Sequence, residues 1–518
     1  MQQGFEKRLA DVTVNGGGVL YGGLKGVEKE SLRISPDGLL AQTPHPSGLG
    51  SALTNRYITT DFSEALLEFV TPAFATTWEA LRCVCDIHQF TYTHLGDEML
   101  WASSMPCRIP RDREIPLARY GDSNVGRMKT IYRRGLGYRY GREMQLIAGV
   151  HFNYSLPDAF WPAYLAATGS TLAPAEFRSE QYLAMIRNFR RMGWIILYLF
   201  GASPAVCKSF GAAADLDTLN ADTWFERWAT SLRMSDLGYS NKNQSRINIS
   251  LNSLDEYVRD LSNAIQTPEP SYEAIGVKVD GTYRQLNANL LQIENEYYSS
   301  VRPKRVACSG EQPTAALRRD GIEYVEVRAL DLNMLDPSGI NQNTMRFIEA
   351  FLIYCLLENS PPLTVAEMED AAWNHTQTAK RGRDPELRLR RNGDETTLRE
   401  WAGEILDKVL AVAEAIDRSD DNYSAAIRQY RTYVDDPEAT PSARIIQELE
   451  TTSASFFELA LETARRHRDY FASIEPLSES RAQVLADEAA ASCKRQRDIE
   501  AADDISLDEY FERYFQAC

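Results

Sequence analysis

Glu28 and Glu30 stand one residue apart in the run Gly26-Val-Glu-Lys-Glu-Ser-Leu-Arg33. In an extended strand, alternate side chains share a face, so both acids fall beside Leu32 and Ile34, with Val27, Lys29, Ser31 and Arg33 opposite. A carboxylate next to an apolar core is costly unless a cation, an arginine or water compensates it. A sheet edge where both acids reach solvent meets that need as well as a metal does. Three further segments repeat the arrangement. In Ala65-Leu-Leu-Glu-Phe-Val70, Glu68 shares a face with Leu66 and Val70, and Asp61 precedes the strand in Thr59-Thr-Asp-Phe62. In Gly149-Val-His-Phe-Asn-Tyr-Ser155, His151, Asn153 and Ser155 alternate with Val150, Phe152 and Tyr154. In Gly321-Ile-Glu-Tyr-Val-Glu-Val-Arg328, Glu326 and Arg328 lie on the face of Ile322 and Tyr324. Four such strands in one chain predict a sheet with a polar, functional inner face.

Carboxylates supplemented by one imidazole suit hard divalent ions, and magnesium in particular is usually shared between a few carboxylates and substrate phosphates. A thiolate zinc site is disfavoured, because no cysteine lies in these strands. The rival set Cys83, Cys85, His88 and His94 falls on a predicted helix and reads as packing and surface positions. Nucleotide fingerprints are missing. Gly18-Val-Leu-Tyr-Gly-Gly23 has Walker-like glycine spacing but continues Leu24-Lys25, without the Lys-Ser/Thr pair. Gly135-Leu-Gly-Tyr-Arg-Tyr-Gly141 has the wrong spacing for a dinucleotide loop. If ATP binds, metal ions and arginines hold its phosphates.

The elements that must position these groups can be read from periodicity. Strands are predicted at 26–34, 65–71, 149–156 and 322–330, and helices at 77–95, 180–200 and 343–357. Turns fall at Ser35-Pro-Asp-Gly38 and Asp280-Gly281. After Ser360-Pro-Pro362 the pattern turns helical: Trp401, Ile405, Val409, Val412 and Ile416 recur at spacings of three and four. A later helix starts at Ser455, where Ser455-Phe-Phe-Glu458 fits a capping box. Residues 1–360 therefore read as a core, and 361–518 as a helical region packed on it, more structural than catalytic. The arginines between 381 and 391 read as a solvated face.

The 518 residues carry a formal net charge of −17, which argues against binding nucleic acid or an anionic membrane. The N-terminal residues lack the apolar core of a signal peptide, and the apolar run Trp194–Phe200 is too short to span a bilayer. Eight cysteines without a CxxC pair read as reduced thiols of a cytoplasmic protein.

The quoted segments, with Ser104-Met-Pro-Cys107, Gly201-Ala-Ser-Pro204, Ser235-Asp-Leu-Gly-Tyr239, Glu294-Asn-Glu-Tyr-Tyr298 and Arg302-Pro-Lys-Arg305, closely resemble the glutamate–cysteine ligases of proteobacteria (γ-glutamylcysteine synthetases). The matches run in order from about residue 20 to 355; beyond 362 the likeness is loose. The resemblance implies an α+β fold, a glutamine-synthetase-like curved, largely antiparallel sheet forming a funnel with helices outside. It implies ATP-dependent joining of L-glutamate to L-cysteine, with Mg2+ (or Mn2+) as cofactor and glutathione as a feedback inhibitor. It implies a metal site of Glu28, Glu30, Asp61, Glu68, His151 and Glu326. Arg328 resembles the arginine that meets the transferred phosphate, with Arg133 close to the phosphoryl groups. Arg233 and Asn153 are similar in position to groups around glutamate and nucleotide. Tyr132, Leu136, Gln145, Tyr239 and Tyr298 resemble a cysteine pocket. Cys107 lies in a matching motif, and its expected role is packing or redox sensitivity. The nearest rival is a ligase acting on another amine; a metal-dependent hydrolase and a non-catalytic binding protein are the others.

Overall fold

The alternating segments become neighbouring strands of one sheet in the computed structural model, which describes residues 4–14, 18–210, 216–238, 247–308, 311–418 and 422–516. The strands are β1 (Leu24–Ile34), β2 (Ile58–Thr60), β3 (Leu66–Val70), β4 (Met99–Leu100), β5 (Val150–Ser155), β6 (Val301–Lys304) and β7 (Tyr324–Leu330). Their order is β6-β7-β5-β1-β3-β2, with β4 on the end of β1, and every pairing is antiparallel. The register decides which side chains meet. Glu28 pairs with His151 across one edge of β1, and Glu30 pairs with Glu68 across the other. Glu326 lies between Asn153 and Arg302. The four predicted strands, β1, β3, β5 and β7, fall within two residues of their predicted bounds, because one buried face fixes both register and extent, whereas β2, β4 and β6 were not predicted.

The opposite face of β1 is packed. Lys25, Val27, Lys29, Ser31 and Arg33 are all buried there. Helices α1 (Thr77–Tyr92), α2 (Asn124–Tyr140), α3 (Pro174–Met192), α4 (Trp194–Phe200) and α5 (Gln342–Leu357) surround the sheet. Every residue of α5 from Thr344 to Leu357 is buried, as in a helix enclosed by its own domain. The predicted helix 180–200 is two helices, broken at Gly193, a residue that weakens a helix interior. The helix predicted to reach Leu95 stops at Tyr92.

Beyond residue 360 come α6 (Leu398–Ile416), α7 (Tyr423–Asp435), α8 (Phe456–Ser473), α9 (Glu479–Ala502) and α10 (Leu507–Gln516), among other helices. The five apolar positions from Trp401 to Ile416 are buried in α6, and Ser455 forms its capping box at the head of α8. The region is not helical throughout, since Arg388–Arg391 and Asp394–Thr397 form a hairpin. The arginines there face acids, with Arg390 near Asp370 and Arg391 near Glu404, so the cluster is a paired surface. Long-range contacts tie this region back to the core: Ser51 N donates to Ser492 Oγ (2.9 Å) and Arg481 reaches Asp86 (2.6 Å).

The expectation that all cysteines are reduced is corrected. Cys107 and Cys207 form a disulfide across a sequence separation of 100 residues. The fold brings their Cα atoms to 5.4 Å, within bonding reach, which no spacing rule reveals. Among the described residues no helix is long and apolar enough to cross a membrane.

Candidate active site

One end of the polar face opens into a cavity of about 740 Å³. Its floor is the acidic set: Glu28 and Glu30 from β1, Asp61 after β2, Glu68 from β3, His151 from β5 and Glu326 from β7. His151 stands at the centre. Its Nδ1 lies 3.0 Å from Glu28 Oε2 and 4.0 Å from Glu326, and its Nε2 lies 3.8 Å from Glu30. Glu28, His151 and Glu326 form one cluster of convergent ligand atoms, and Glu30, Glu68 and His151 a second; among the described residues these are the only such clusters. Cys83, Cys85, His88 and His94 form none.

The acids divide into two electrostatic classes. Burial acts upward most strongly on Glu28, and Glu326 adds repulsion, but the hydrogen bond and charge of His151 together with the charge of Lys304 outweigh them, so its carboxyl sits below the ordinary range. Burial acts upward on Glu326 too, yet Lys304, Arg328, His151 and Arg302 hold it well below. Lys304 Nζ is 3.3 Å and Arg328 Nη1 3.1 Å from its carboxylate. Glu30 is raised, first by burial and then by Asp61, against the pull of His151, Arg233 and Arg328. Glu68 is raised well above the ordinary range by burial and then by Glu28, Asp61 and Glu30. Glu30 and Glu68 are direct cross-strand partners, a like-charge pairing that destabilises a sheet unless something cationic sits between.

The basic groups hang over this floor. Burial disfavours the Arg328 charge, but Glu326, Glu30 and Glu28 more than sustain it. Arg133, on α2, stacks over the Tyr120 ring at 4.6 Å, donates to the Asp61 carbonyl and lies 4.0 Å from the Asp61 carboxylate. Helix α2 starts at the Ser123 cap and ends at Gly141, whose φ of 82° suits glycine. Arg233 is buried, with Nη1 3.6 Å from Asp331 and Nη2 donating to the Arg328 carbonyl at 3.2 Å. It passes so close to Gly149 that a Cβ there would meet its guanidinium at 2.0 Å, which explains the glycine at the head of β5.

Tyr132, Leu136, Gln145, Arg133, Arg233, Arg328 and Tyr298 all line the cavity with the acidic set. Asn153 reaches it through Glu28, to which its Nδ2 donates at 2.8 Å. Tyr239 lies outside the described residues. Six contributors were missed. Asp331 anchors Arg233 while accepting from Ser203 Oγ, Ser231 Oγ and Ala202 N, a set assembled from distant segments. Lys304 and Arg302 were in the quoted Arg302-Pro-Lys-Arg305 motif, and strand alternation would have placed them near Glu326. Glu296 holds Arg139 at 2.9 Å and Tyr140 at 2.6 Å. Tyr510 and Tyr514, from the last helix, line the cavity and carried no sequence pattern pointing to it.

The glutamate–cysteine ligase family model matches residues 12–378. The chain is 49% identical to the glutamate–cysteine ligase of Alcanivorax borkumensis over 99% of both chains. It is 46% identical to that of Pseudomonas putida over 92% of this chain and 91% of the other. The crystal structure of a glutamate–cysteine ligase from Francisella tularensis in complex with AMP superposes with a TM-score of 0.91, at 36% identity, covering 96% of this chain and 99% of that one. A bifunctional glutathione synthetase from Pasteurella multocida superposes at 0.73 and 26% identity over 89% of this chain and 55% of that one. Mixed helix and antiparallel sheet, with a carboxylate-floored cavity built from the matched segments, this chain belongs to the glutamate–cysteine ligase family.

Proposed function

We propose that the chain phosphorylates the γ-carboxylate of glutamate over the acidic floor and hands the acyl phosphate to the amine of cysteine. The overall reaction is ATP-dependent formation of γ-glutamylcysteine, ADP and phosphate, the first step of glutathione synthesis. The observation that carries the mechanism is the Glu326–Arg328 pair set beside the opposed carboxylates of Glu30 and Glu68, a surplus of acid with a fixed positive charge next to it.

The donor set fits a hard divalent cation. Four carboxylates converge with one imidazole, Asp61 lines the same cavity, and the Asn153 Oδ1 beside Glu28 is buried without a hydrogen-bond partner. Glu28, Glu30, Asp61, Glu68, His151 and Glu326 would hold Mg2+, which when bound draws negative charge out of the phosphates. The mixed helix and antiparallel sheet support the reading of a glutamine-synthetase-like curved funnel, the form expected for the family.

The chain's own residues supply the rest. A carboxylate is a poor acyl donor, and both partners in its phosphorylation are anions, so fixed cations must neutralise the charge that builds up. Arg328, kept charged by its acidic neighbours, meets the transferred phosphoryl, with Arg133, beside Asp61 in the same cavity, close to the phosphoryl groups. Arg233, held by Asp331, takes the glutamate, with Asn153 beside the nucleotide and glutamate groups. Tyr132, Leu136, Gln145 and Tyr298 enclose the cysteine so that its neutral amine faces the acyl carbon. Attack gives a tetrahedral centre that expels phosphate, and an adjacent carboxylate or phosphate oxygen takes the amine proton. Glutathione carries both the γ-glutamyl and the cysteinyl parts and is expected to compete for the same compartments. Catalysis centres on residues 1–360, with 361–518 packed against them, and takes place in the cytoplasm, where ATP is available.

Measuring ADP release with glutamate plus cysteine, 2-aminobutyrate or putrescine tests this reading. Turnover should be fastest with cysteine, slower with 2-aminobutyrate, and lost on chelation until Mg2+ is restored. Full turnover with putrescine and none with cysteine would overturn it.

A further inference from the structure

The last helix borders the cavity as well as the fold. Tyr510 and Tyr514 of α10 both line it, and their spacing of four puts them on one face of the helix. Leu507 and Phe511, beside that face, are buried in a separate apolar cluster with Met128 and Ile131 of α2 and Leu286. Tyr132, Tyr510 and Tyr514 pack against the same cluster, so α10 and α2 meet along a seam that ends at the cavity.

Polar contacts fix that seam at both ends. The backbone N–H of Asn124, the first residue of α2, donates to Asp503 just before α10. The Asn124 side chain donates to the Ile505 carbonyl at 2.9 Å, and Asp122 N donates to Glu500 at 3.0 Å. Further along, Asp508 accepts from Lys278 Nζ at 2.9 Å and from the Tyr283 hydroxyl. Gln312 Nε2 donates to the Tyr514 carbonyl at 2.8 Å. At its other end, α2 is clamped by Arg139 on Glu296. A helix with only a packing role would need Leu507 and Phe511. It would not need two half-buried tyrosines along the rim of an open cavity, nor contacts that set the start of the helix carrying Tyr132 and Arg133.

We propose that α10 is a wall of the amine-substrate compartment: Tyr510 and Tyr514 bound it directly, and Phe511, through Met128 and Ile131, positions Tyr132 in it. A tyrosine ring offers an apolar face with a polar tip, which matches a short side chain on a zwitterionic amino acid. The proposal rests on the reading of Tyr132 as part of the cysteine pocket.

Steady-state kinetics on the full chain test it, with KM for cysteine, glutamate and ATP measured separately in Tyr132→Ala, Tyr510→Ala, Tyr514→Ala and Arg513→Ala. Each α10 tyrosine variant should raise KM for cysteine about 3- to 10-fold, the scale of one lost aromatic contact, while KM for ATP and kcat stay within about twofold. Arg513, exposed on the same helix and paired with Glu509, should leave all constants unchanged when replaced. A rise in cysteine KM in Tyr132→Ala together with either α10 variant supports the proposal. A rise in Tyr132→Ala alone overturns it and leaves the cysteine-pocket reading standing. No rise in any of the three overturns both. If an alanine variant fails to fold, Tyr514→Leu, which keeps apolar bulk on the seam, is read in the same way.

Discussion

Strand β1 buries charge on both of its faces, and the two faces treat it in opposite ways. On the packed side, Lys25 meets Glu349 of α5 at 2.9 Å and the Ala75 carbonyl at 2.9 Å. Glu349 also accepts from the Tyr423 hydroxyl of α7 at 2.6 Å. Arg33 reaches Glu98 together with Thr43 and the Glu64 carbonyl. These groups find their partners within the chain. On the cavity side, Glu28 and Glu30 lie among further acids, and Glu68 sits directly opposite Glu30 across the strand pair. Buried charge that is balanced internally holds a fold together. Buried charge left in surplus of one sign is completed from outside, by a ligand.

The largest effect is expected on the closed side. Lys25→Met leaves Glu349 buried and unpaired, which should lower the unfolding free energy by about 3–5 kcal/mol. The double variant Lys25→Met, Glu349→Leu should recover most of that loss, since an apolar pair of similar size suits the site. Turnover of the folded fraction should stay within about twofold of the parent, because neither residue lines the cavity. Urea unfolding followed by kinetics on the same preparation checks this. A Lys25 variant that kept full stability but lost turnover would erase the distinction between the faces.

On the open side the signs should reverse. Glu68→Gln removes one of the two opposed acids, so kcat should fall by about 10²- to 10³-fold. Stability should hold or rise by about 0.2–1 kcal/mol, because a like-charge cross-strand contact is relieved. Loss of stability together with activity would mean that Glu68 is an ordinary structural acid.

The open face was legible in the sequence and the closed one was not, for a physical reason. Period-two alternation shows any strand whose acids share a face with leucine or valine, so Glu28, Glu30, Glu68, Glu326 and His151 could be placed before their register was known. Their spacing as a metal set came from the family resemblance rather than from alternation. The partner of Lys25 is more than 300 residues away, on a helix whose acid looks like any other. Asp331 has the same history: its link to Arg233 exists only once Ser203 and Ser231 have been brought beside it. Cys107 and Cys207 likewise pair through topology alone. The break at Gly193 was visible as a glycine, but a helical pattern continues on both sides of it and hides the break. The cavity tyrosines of α10 sit in an amphipathic helix whose pattern announces packing and nothing more.

The smallest effect concerns protons, which the closed face excludes as firmly as it pairs its ions. Behind β1, Lys29 Nζ lies 2.6 Å from His88 Nε2. His467 lies in the same layer, its Nε2 3.1 Å from the Met334 carbonyl. Its pKa is pushed down to about 4 by burial and then by the charge of Lys29, against the favourable Met334 contact. The unfolded chain returns this ring to about 6.5. Between those two values the unfolded state binds the proton that the folded state refuses, so stability must fall as pH falls. The contribution is fully present above about pH 6.5 and is lost down to about pH 4, at no more than about 1.4 kcal/mol per pH unit. His467→Gln should therefore show a shallower decline in unfolding free energy across that window, with the parent and variant slopes converging above neutral pH. Denaturant midpoints measured at several pH values give both slopes. Parallel slopes would mean that His467 accepts its proton in the fold and that the closed face is more open to charge than its packing indicates.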